Sequence, residues 1–423
     1  MTHALMQRAQ SRSARRTILK SMFAVLALSA GLAACGSGGD EEVRYHASWT
    51  GALSDAAQSL PGFPPPAVQV FDNQTVRQVV RVSLGSTAIR IKVSNLFGKT
   101  PIAISGIRVA RSSGASNIDA GTDRAVTFGG QRSLTLAPGS DMLSDAIDLP
   151  VAPLSNVAVS MYFATRTEVA TVHALGRQTA YVGAGDQSAA AAIPTTAASQ
   201  LESYYALTAV ESISIAQAKV VVTFGDSITD GFNSTVNAAK RYPNQLDDRL
   251  KAAGFAQTSV VNGGISGNRW LNDFVGPNGN GRFERDVVNV AGVTHTIILL
   301  GINDIGFASF VPAQAVSAQQ ITAAMATAVG KAKARGIKVY LATLLPFKGA
   351  GYYSVDGEAK RQAVNAFIRA NRDIDGVVDF DRAMQNPADP LAMNPAYDSG
   401  DHLHPNDAGY AAMAAAIDLA KLQ

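Results

Sequence analysis

The spacing of apolar residues changes near residue 217, and this change divides the chain into two regions that must fold differently. Before it, short segments alternate apolar and polar residues, as in residues 88–93, where Ile89, Ile91 and Val93 are separated by charged side chains. Alternation with a period of two is typical of half-buried antiparallel strands. Residues 44–216 are therefore predicted to form an all-β accessory domain, a sandwich of the jelly-roll type.

From residue 217 onward, apolar runs of strand length alternate with longer segments of helical spacing. The predicted strands are residues 220–224, 259–262, 296–300, 338–342 and 377–380. The predicted helices include residues 242–250, 319–334 and 405–422, the last with a proline at its first position. Strands that alternate with helices indicate a parallel sheet. Residues 217–423 are therefore predicted to form an α/β domain, a doubly wound, flavodoxin-like sheet flanked by helices.

The first 34 residues have the composition of an export signal peptide. They contain five basic residues and no acidic residue, followed by an apolar stretch too short to span a membrane. The adjacent Arg15 and Arg16 resemble a twin-arginine signal, and an ordinary secretory signal is the alternative. Removal of this segment changes 36 basic and 33 acidic residues to 31 and 33, so the net charge falls from +3 to about −2. The basic character of the full chain therefore gives no indication of nucleic-acid binding.

The segment Leu32-Ala33-Ala34-Cys35 resembles a bacterial lipobox, in which Cys35 would become a lipidated N-terminus. An unmodified cysteine just after an ordinary cleavage site is the alternative. Residues 35–43, with three glycines, one serine and three acidic residues, are then predicted to be a flexible tether. The expected location is the bacterial cell envelope, in the periplasm or at the outer membrane, with the lipid as the contact to the membrane. Because Cys35 is the only cysteine, no internal disulfide is expected.

Four polar segments of the second region carry residue types that suit catalysis. Gly225-Asp226-Ser227 follows the first predicted strand, a glycine-rich segment at 262–269 follows the second, and Asn303 follows the third. The fourth segment, which contains Asp401 and His404, precedes the last helix. Taken singly, each could be a turn or a helix cap. Together they offer a nucleophile, hydrogen-bond donors and an acid–base pair at the edge of a parallel sheet where active sites form.

In this order, the four segments resemble the SGNH (GDSL) hydrolase family of serine esterases and lipases, over roughly residues 217–423. The resemblance implies that Ser227 is the nucleophile, that His404 is the general base and that Asp401 orients His404. His402 competes for the role of base, but as the direct neighbour of Asp401 it is expected at the surface or at the pocket rim. The first region resembles, more loosely, the β-domains that precede the catalytic domain in some two-domain carbohydrate esterases.

The same resemblance implies an oxyanion hole formed by the backbone N–H groups of Ser227 and Gly267 and by the side-chain amide of Asn303. Gly264 is an alternative to Gly267 within the glycine-rich segment. Arg269 and Trp270 follow this segment directly, and they either line the substrate pocket or are an exposed arginine and a packing tryptophan.

The expected function is hydrolysis of carboxylic esters through an acyl-serine intermediate, without a cofactor. No metal-binding motif occurs in the sequence, so no catalytic metal is expected. The predicted envelope location and the accessory β-domain favour small-molecule or polysaccharide esters with short acyl groups, such as O-acetyl esters. The alternatives are a lipase or lysophospholipase, an acyltransferase of the same family, and a carbohydrate-binding surface protein with a vestigial hydrolase domain.

Overall fold

The computed structural model of the protein describes residues 44–58, 67–214, 218–274 and 276–423. The predicted export signal, Cys35 and the predicted tether lie outside the described residues, and so does the predicted domain boundary between residues 216 and 217. A β-rich region and an α/β region follow each other along the described chain, and they belong to one compact unit.

The β-rich region consists of short strands. In chain order they are β1 Arg44–Thr50, β2 Ser54–Asp55, β3 Gln69–Phe71, β4 Gln74–Arg81, β5 Ile89–Ser94, β6 Ile102–Ile104, β7 Gly106–Gly114, β8 Asn117–Ile118, β9 Arg124–Ala125, β10 Leu134–Leu136, β11 Asp141–Leu143, β12 Asn156–Phe163, β13 Thr167–Val169, β14 Thr171–His173, β15 Ala180–Ala184, β16 Gln200–Leu201, β17 Tyr204–Tyr205 and β18 Leu207–Ser214. Their pairings are antiparallel.

Two of the sheets enclose the core of this region. One has the strand order β1-β18-β5-β11, and the other has the order β16-β15-β4-β12-β7-β8 with β9 also paired to β7. In β5, Ile89, Ile91 and Val93 are completely buried, whereas the two charged residues between them are partly exposed. They pack in one cluster with Val80 of β4 and Val159 of β12. The predicted antiparallel β-domain is confirmed.

The α/β region is built on a five-stranded parallel sheet. Its strands are β19 Lys219–Gly225, β20 Thr258–Gly264, β21 Val293–Leu299, β22 Lys338–Ala342 and β23 Gly376–Val378, and a separate hairpin consists of β24 Gln385–Asn386 and β25 Asp389–Met393. The described helices are α1 Ser227–Asp230, α2 Tyr242–Ala252, α3 Gly279–Phe283, α4 Ile302–Gly306, α5 Ala318–Lys333, α6 Val355–Ala370, α7 Phe380–Met384 and α8 Asp407–Ala415. No helix in the described part of the chain is long and apolar enough to cross a membrane.

The order of this sheet is β20-β19-β21-β22-β23, and its neighbouring strands run parallel. β19 therefore has a partner on both sides, and its apolar residues are completely buried, as expected for a parallel strand covered on both faces. The predicted doubly wound α/β domain is confirmed.

Several predicted elements have different ends in the structure, and the hydrogen bonds of helix caps account for two of these differences. The fifth strand ends at Val378 rather than at residue 380, because the Asp379 side chain accepts a hydrogen bond from the N–H of Arg382 and thereby caps α7. The last helix runs from Asp407 to Ala415 rather than from Pro405 to Leu422. Its N-terminus is capped by the Asn406 side chain, which accepts from the N–H of Gly409.

The β-rich region covers β20, the edge strand of the parallel sheet. The N–H of Val260 donates to the Ser83 hydroxyl over 3.1 Å, and the Thr50 hydroxyl donates to the carbonyl of Asn262 over 2.9 Å. The Ser259 hydroxyl donates to the carbonyl of Ala47 over 2.7 Å. Two backbone groups of the edge strand thus bind hydroxyl side chains of the β-rich region, and one hydroxyl of the edge strand binds a carbonyl of the β-rich region.

Candidate active site

The turn between β19 and α1 presents Ser227 at the carboxyl end of an interior strand. Asp226 caps the short helix, because its Oδ1 accepts a hydrogen bond from the N–H of Ile228 over 3.1 Å. Gly225 permits the close approach of backbone here: a Cβ at this position would lie 2.4 Å from the carbonyl oxygen of Leu299. The position of Ser227 is therefore set by backbone packing on both sides of the turn, and the side chain is nearly buried.

Ser227, His404 and Asp401 form a continuous chain of hydrogen bonds. Ser227 Oγ lies 2.7 Å from His404 Nε2, and His404 Nδ1 lies 2.7 Å from Asp401 Oδ2. A carboxylate only accepts hydrogen bonds, so the proton of the neutral imidazole lies on Nδ1 and the lone pair of Nε2 faces the serine. This arrangement can remove the hydroxyl proton of Ser227.

Asp401 is held in its ionised form. Burial opposes ionisation, but hydrogen bonds from the His404 side chain, from the His404 N–H over 2.8 Å and from the Leu403 N–H over 3.0 Å keep the pKa of Asp401 well below its ordinary value. The carboxylate is therefore charged over the whole range of pH in which an imidazole titrates, and it stabilises an imidazolium at His404.

His402 lies apart from this chain of hydrogen bonds. Its side chain is exposed, and its Nδ1 lies 2.6 Å from Asp398 Oδ2. Its backbone has a φ of +61°, in the left-handed region. Of the two candidate bases, the structure brings only His404 to Ser227.

Gly267 and Gly264 differ in whether their N–H groups are free for a ligand. The N–H of Gly264 donates to Asn262 Oδ1 over 2.8 Å, and a Cβ at Gly264 would lie 2.4 Å from the backbone nitrogen of Asp230. Gly264 therefore serves close packing against α1. Gly267 has a φ of +75°, and no described residue accepts a hydrogen bond from its N–H. The geometry favours Gly267 as the donor.

Asn303 lies at the start of α4, just after β21, and its amide group is fixed at both ends. Its Nδ2 donates to the carbonyl of Asn268 over 3.1 Å, and its Oδ1 accepts from the hydroxyl of Tyr352 over 3.2 Å. One of the two amide hydrogens is thus used, which leaves the second for a substrate oxygen. Tyr352 was not identified from the sequence, because no pattern around it indicates a contact with a residue 49 positions away.

Replacing Tyr352 with phenylalanine is expected to lower kcat about tenfold with little change in KM. The Asn303 amide would lose the bond that fixes its orientation, and removal of a whole oxyanion-hole donor typically costs about 10²–10³ in kcat. Steady-state kinetics with a short aryl ester measure this effect. Tyr353→Phe is the matched control, since the Tyr353 ring packs against Phe347. Equal kcat values in the two variants would contradict the role of the Tyr352 hydroxyl.

Arg269 and Trp270 do not line a pocket for substrate. Trp270 is completely buried, and its Nε1 donates to the carbonyl of Leu300 over 2.9 Å. Arg269 is buried as well, and its guanidinium donates to Gln314 Oε1 and to the carbonyl of Asp273. The suggestion that they bind substrate is corrected, and so is the alternative of an exposed arginine: both side chains are buried, and their hydrogen bonds connect the loop that carries Gly267 to neighbouring segments.

Arg282 is a second residue that the sequence did not reveal. Its buried guanidinium donates to the carbonyls of Gly225 and Gly263, both over 2.7 Å, and to Asn268 Oδ1 over 2.9 Å. It also pairs with Asp286 at 3.0 Å. Burial lowers the pKa of Arg282 to about 10, so it stays charged at neutral pH. A single cation therefore connects the ends of β19 and β20 with Asn268, in the loop that carries Gly267.

Two buried carboxyl groups lie beside the site. Burial, together with the charge of Asp304, raises the pKa of Asp226 to about 7, and burial raises the pKa of Asp304 to about 7. Asp304 accepts hydrogen bonds from the N–H groups of Trp270 and Leu271. Asp226 Oδ2 has no hydrogen-bond partner among the described residues.

Asp226 is expected to make the stability of the protein fall as the pH rises. An unfolded chain releases this proton near pH 4, whereas the folded protein keeps it until about pH 7. The folded state thus binds more protons between these values, and the free energy of unfolding should decrease by at most about 1.4 kcal/mol per pH unit. Asparagine keeps the capping oxygen but does not ionise. When urea unfolding is measured at several pH values, the free energy of unfolding of Asp226→Asn should decrease less steeply with pH than that of the wild type. Parallel curves of unfolding free energy against pH for the two proteins would contradict the prediction.

Among the described residues, no cluster of three or more histidine, aspartate or glutamate side chains could hold a metal ion.

Residues 223–412 match the model of the GDSL-like lipase/acylhydrolase family. The match includes Ser227, Gly267, Asn303, Asp401 and His404. No curated protein matches the chain.

The chain also resembles solved structures. One is a GDSL-like lipase from Bacteroides thetaiotaomicron VPI-5482, with 27% identity, a TM-score of 0.38 and coverage of 48% of this chain and 88% of that chain. Another is a catalytic mutant of an acetylxylan esterase from Geobacillus stearothermophilus, with 23% identity, a TM-score of 0.39 and coverage of 49% of this chain and 94% of that chain.

Proposed function

We propose that this chain, whose residues 223–412 match the model of the GDSL-like lipase/acylhydrolase family, is an ester hydrolase that cleaves short acyl esters of hydroxyl-rich alcohols. O-acetylated polysaccharides are the substrate class that we favour. The observation that carries the proposed chemistry is the chain of two 2.7 Å hydrogen bonds that connects Ser227, His404 and Asp401.

In the proposed first step, Ser227 Oγ attacks the carbonyl carbon of the ester while His404 Nε2 takes up the hydroxyl proton. The C–O bond to the alcohol then breaks, and the imidazolium returns that proton to the leaving alcohol. Asp401 stabilises the imidazolium between these two events. In the second half, water attacks the acyl-Ser227 carbonyl with His404 again as the base, which releases the carboxylic acid and restores the serine.

The negative charge of each tetrahedral intermediate develops on the former carbonyl oxygen. The donors proposed to receive it are the N–H groups of Ser227 and Gly267 and the second amide hydrogen of Asn303. The Gly267 N–H and one Asn303 hydrogen have no acceptor in the described residues, and the Tyr352 and Asn268 contacts hold the Asn303 amide in place. Donors that are fixed before the reaction stabilise developing charge without a cost of reorganisation.

Two features support a small acyl group. A Cβ at Gly306, in α4, would lie 2.4 Å from the ring of Tyr352, so the backbone beside Asn303 is already in close contact with its neighbours. Gly264 is packed as closely against the backbone of Asp230. This dense packing around the proposed oxyanion donors is the reason that we favour a small acyl group such as acetyl.

The rim of the site supports a hydroxyl-rich alcohol. On the Asp401 side, the exposed Asn233 amide donates to Ser399 Oγ and to Asp401 Oδ2, and His402 adds a further exposed polar ring. Phe310, in contact with Tyr352 beyond Asn303, leaves 61% of its surface exposed. A sugar has polar edges and apolar ring faces, and a rim of this composition can contact both.

The test is a panel of 4-nitrophenyl esters from acetate to palmitate, followed by acetate release from O-acetylated polysaccharides with different backbones. The proposal predicts that kcat/KM is highest for acetate and decreases as the acyl chain lengthens. Highest activity on the palmitoyl ester would support a lipase instead, and acetyl transfer to an added sugar in preference to water would support an acyltransferase. Rates no higher than those of Ser227→Ala would refute ester hydrolysis at this site.

A further inference from the structure

A histidine of the β-rich region reaches the helix that carries the candidate nucleophile. His173, the last residue of β14, places its Nε2 3.1 Å from Oδ1 of Asp230, the last residue of α1. The side chains of His173 and Asp230 are 4% and 1% exposed, so this contact is screened from water. Asp230 lies three residues after Ser227 and within the same turn of helix.

The second nitrogen of the His173 ring is held by the backbone of the β-rich region. Nδ1 lies 2.9 Å from the carbonyl oxygen of Ala52, and a carbonyl oxygen can only accept, so Nδ1 carries a hydrogen. Nε2 is then the ring atom that lies against Asp230, at 3.1 Å from Oδ1, and this is a close contact rather than a hydrogen bond, because Oδ1 has no hydrogen-bond partner among the described residues.

The other oxygen of Asp230 binds Ser266, in the loop that carries Gly267. Asp230 Oδ2 accepts from the N–H of Ser266 over 3.1 Å and from the Ser266 hydroxyl over 2.9 Å. Ser266 directly precedes Gly267, and the Ser266–Gly267 peptide plane determines the direction of the Gly267 N–H. A rotation of the Asp230 carboxyl group would therefore turn a proposed oxyanion donor away from its target.

The segment that follows His173 in the β-rich region binds the chain that follows α1. The Arg177 guanidinium donates to the carbonyl of Ser234, and the N–H of Thr179 donates to Asn237 Oδ1 over 2.8 Å. The β-rich region thus contacts the nucleophile segment on two sides, through His173 at Asp230 and through residues 177–179 beyond it.

We propose that His173 is a positioning residue for the reaction: it holds Asp230, and through Asp230 the Ser266–Gly267 peptide, in the orientation that the oxyanion hole requires. This inference rests on the proposed ester hydrolysis at Ser227. It gives the β-rich region a part in turnover that is independent of any contact with substrate.

Two substitutions separate this role from a purely structural one. The amide nitrogen of glutamine reaches about as far as Nε2 of histidine, so His173→Gln can still contact Asp230. The amide nitrogen of asparagine reaches about as far as Nδ1, so His173→Asn can keep the bond to Ala52 but loses Asp230. We expect His173→Asn to lower kcat about tenfold or more, with KM within about twofold of wild type, since a displacement of about 1 Å in a site can cost up to about 10². His173→Gln should stay within about threefold of the wild-type kcat.

The measurements are kcat and KM on 4-nitrophenyl acetate together with the thermal midpoint of each full-length variant. Equal kcat values for the two His173 variants, whether high or low, would overturn the proposal, as would a loss of kcat that follows the thermal midpoint.

His46→Gln and His46→Asn are the matched controls, because His46 is another buried histidine of the β-rich region, in contact with the α/β region at Gly292. They should leave kcat unchanged, and a comparable loss would also overturn the proposal. An inactive wild type would refute ester hydrolysis itself rather than the role of His173.

Discussion

Replacement of Ser227 with alanine is expected to lower kcat on a short aryl ester by about 10⁴–10⁶-fold. The variant keeps the oxyanion donors and the His404–Asp401 pair, but it has no atom that can form the acyl intermediate. The Ser227 hydroxyl contributes one hydrogen bond, to His404, so the fold should tolerate its removal. Steady-state kinetics and a thermal unfolding curve of the same preparation separate loss of chemistry from loss of structure.

His404→Ala is expected to lose nearly as much activity, and the double variant with Ser227→Ala should be no worse than either single variant. The reason is that the two groups act as one unit, so that the effects of their removal do not add. His402→Ala serves as the control, because its side chain is exposed and bonded to Asp398. A fully active His404→Ala together with an inactive His402→Ala would reverse the assignment of the base.

Replacement of Arg282 with methionine is expected to lower the free energy of unfolding by about 3–5 kcal/mol, the range found when one partner of a buried ion pair is removed. Methionine fills much of the volume but donates no hydrogen bonds. Asp286 would keep its contacts with Arg285, whereas the carbonyls of Gly225 and Gly263 and the Asn268 side chain would lose a donor inside the protein. Since these groups define the strand ends beneath the site, kcat should fall as well.

Urea unfolding measures the effect of Arg282→Met, and Arg111→Met is the control. Arg111 forms an ion pair with Asp119 in which both side chains are about half exposed, and such pairs contribute about 0–1 kcal/mol. Arg282→Lys should lie between wild type and Arg282→Met, because lysine restores the charge but not the fork of donors. Similar losses for Arg282→Met and Arg111→Met would show that the Arg282 contacts do not stabilise the fold.

The elements that the sequence predicted well are those with a regular local pattern. The alternation around Ile89, Ile91 and Val93 specified which face is buried, and the apolar run that ends at Gly225 indicated a parallel strand with Ser227 at its tip. The ends of elements were less predictable, since side chains such as Asp379 and Asn406 cap helices at positions where the apolar pattern continues. Capping depends on a local hydrogen bond that hydrophobic periodicity does not reflect.

The residues that support the site could not be identified from the sequence, for a different reason. Tyr352 and Asn303, which share a hydrogen bond, are 49 positions apart in the sequence. Arg282 is 57 positions from Gly225, to which it donates, and His173 is 57 positions from Asp230, which it contacts. Each contact exists only after the sheet and its connections have formed. A tyrosine, an arginine or a histidine without a neighbouring motif is ordinary in a sequence, so tertiary structure was needed to identify these three. No pattern in the sequence around Trp270 distinguished a side chain that packs in the interior from one that lines a pocket.

The hydroxyls of Ser83 and Thr50 have a consequence for the solubility of the catalytic region. A parallel sheet that ends in an uncovered strand offers a row of unpaired backbone groups, on which a strand from another molecule can add. Here the N–H of Val260 and the carbonyl of Asn262 are already engaged, so the outer side of β20 is closed to such pairing. The β-rich region thus disfavours self-association through β20. A chain cut between the two regions would expose the Val260 N–H and the Asn262 carbonyl, on which a strand of another molecule could add.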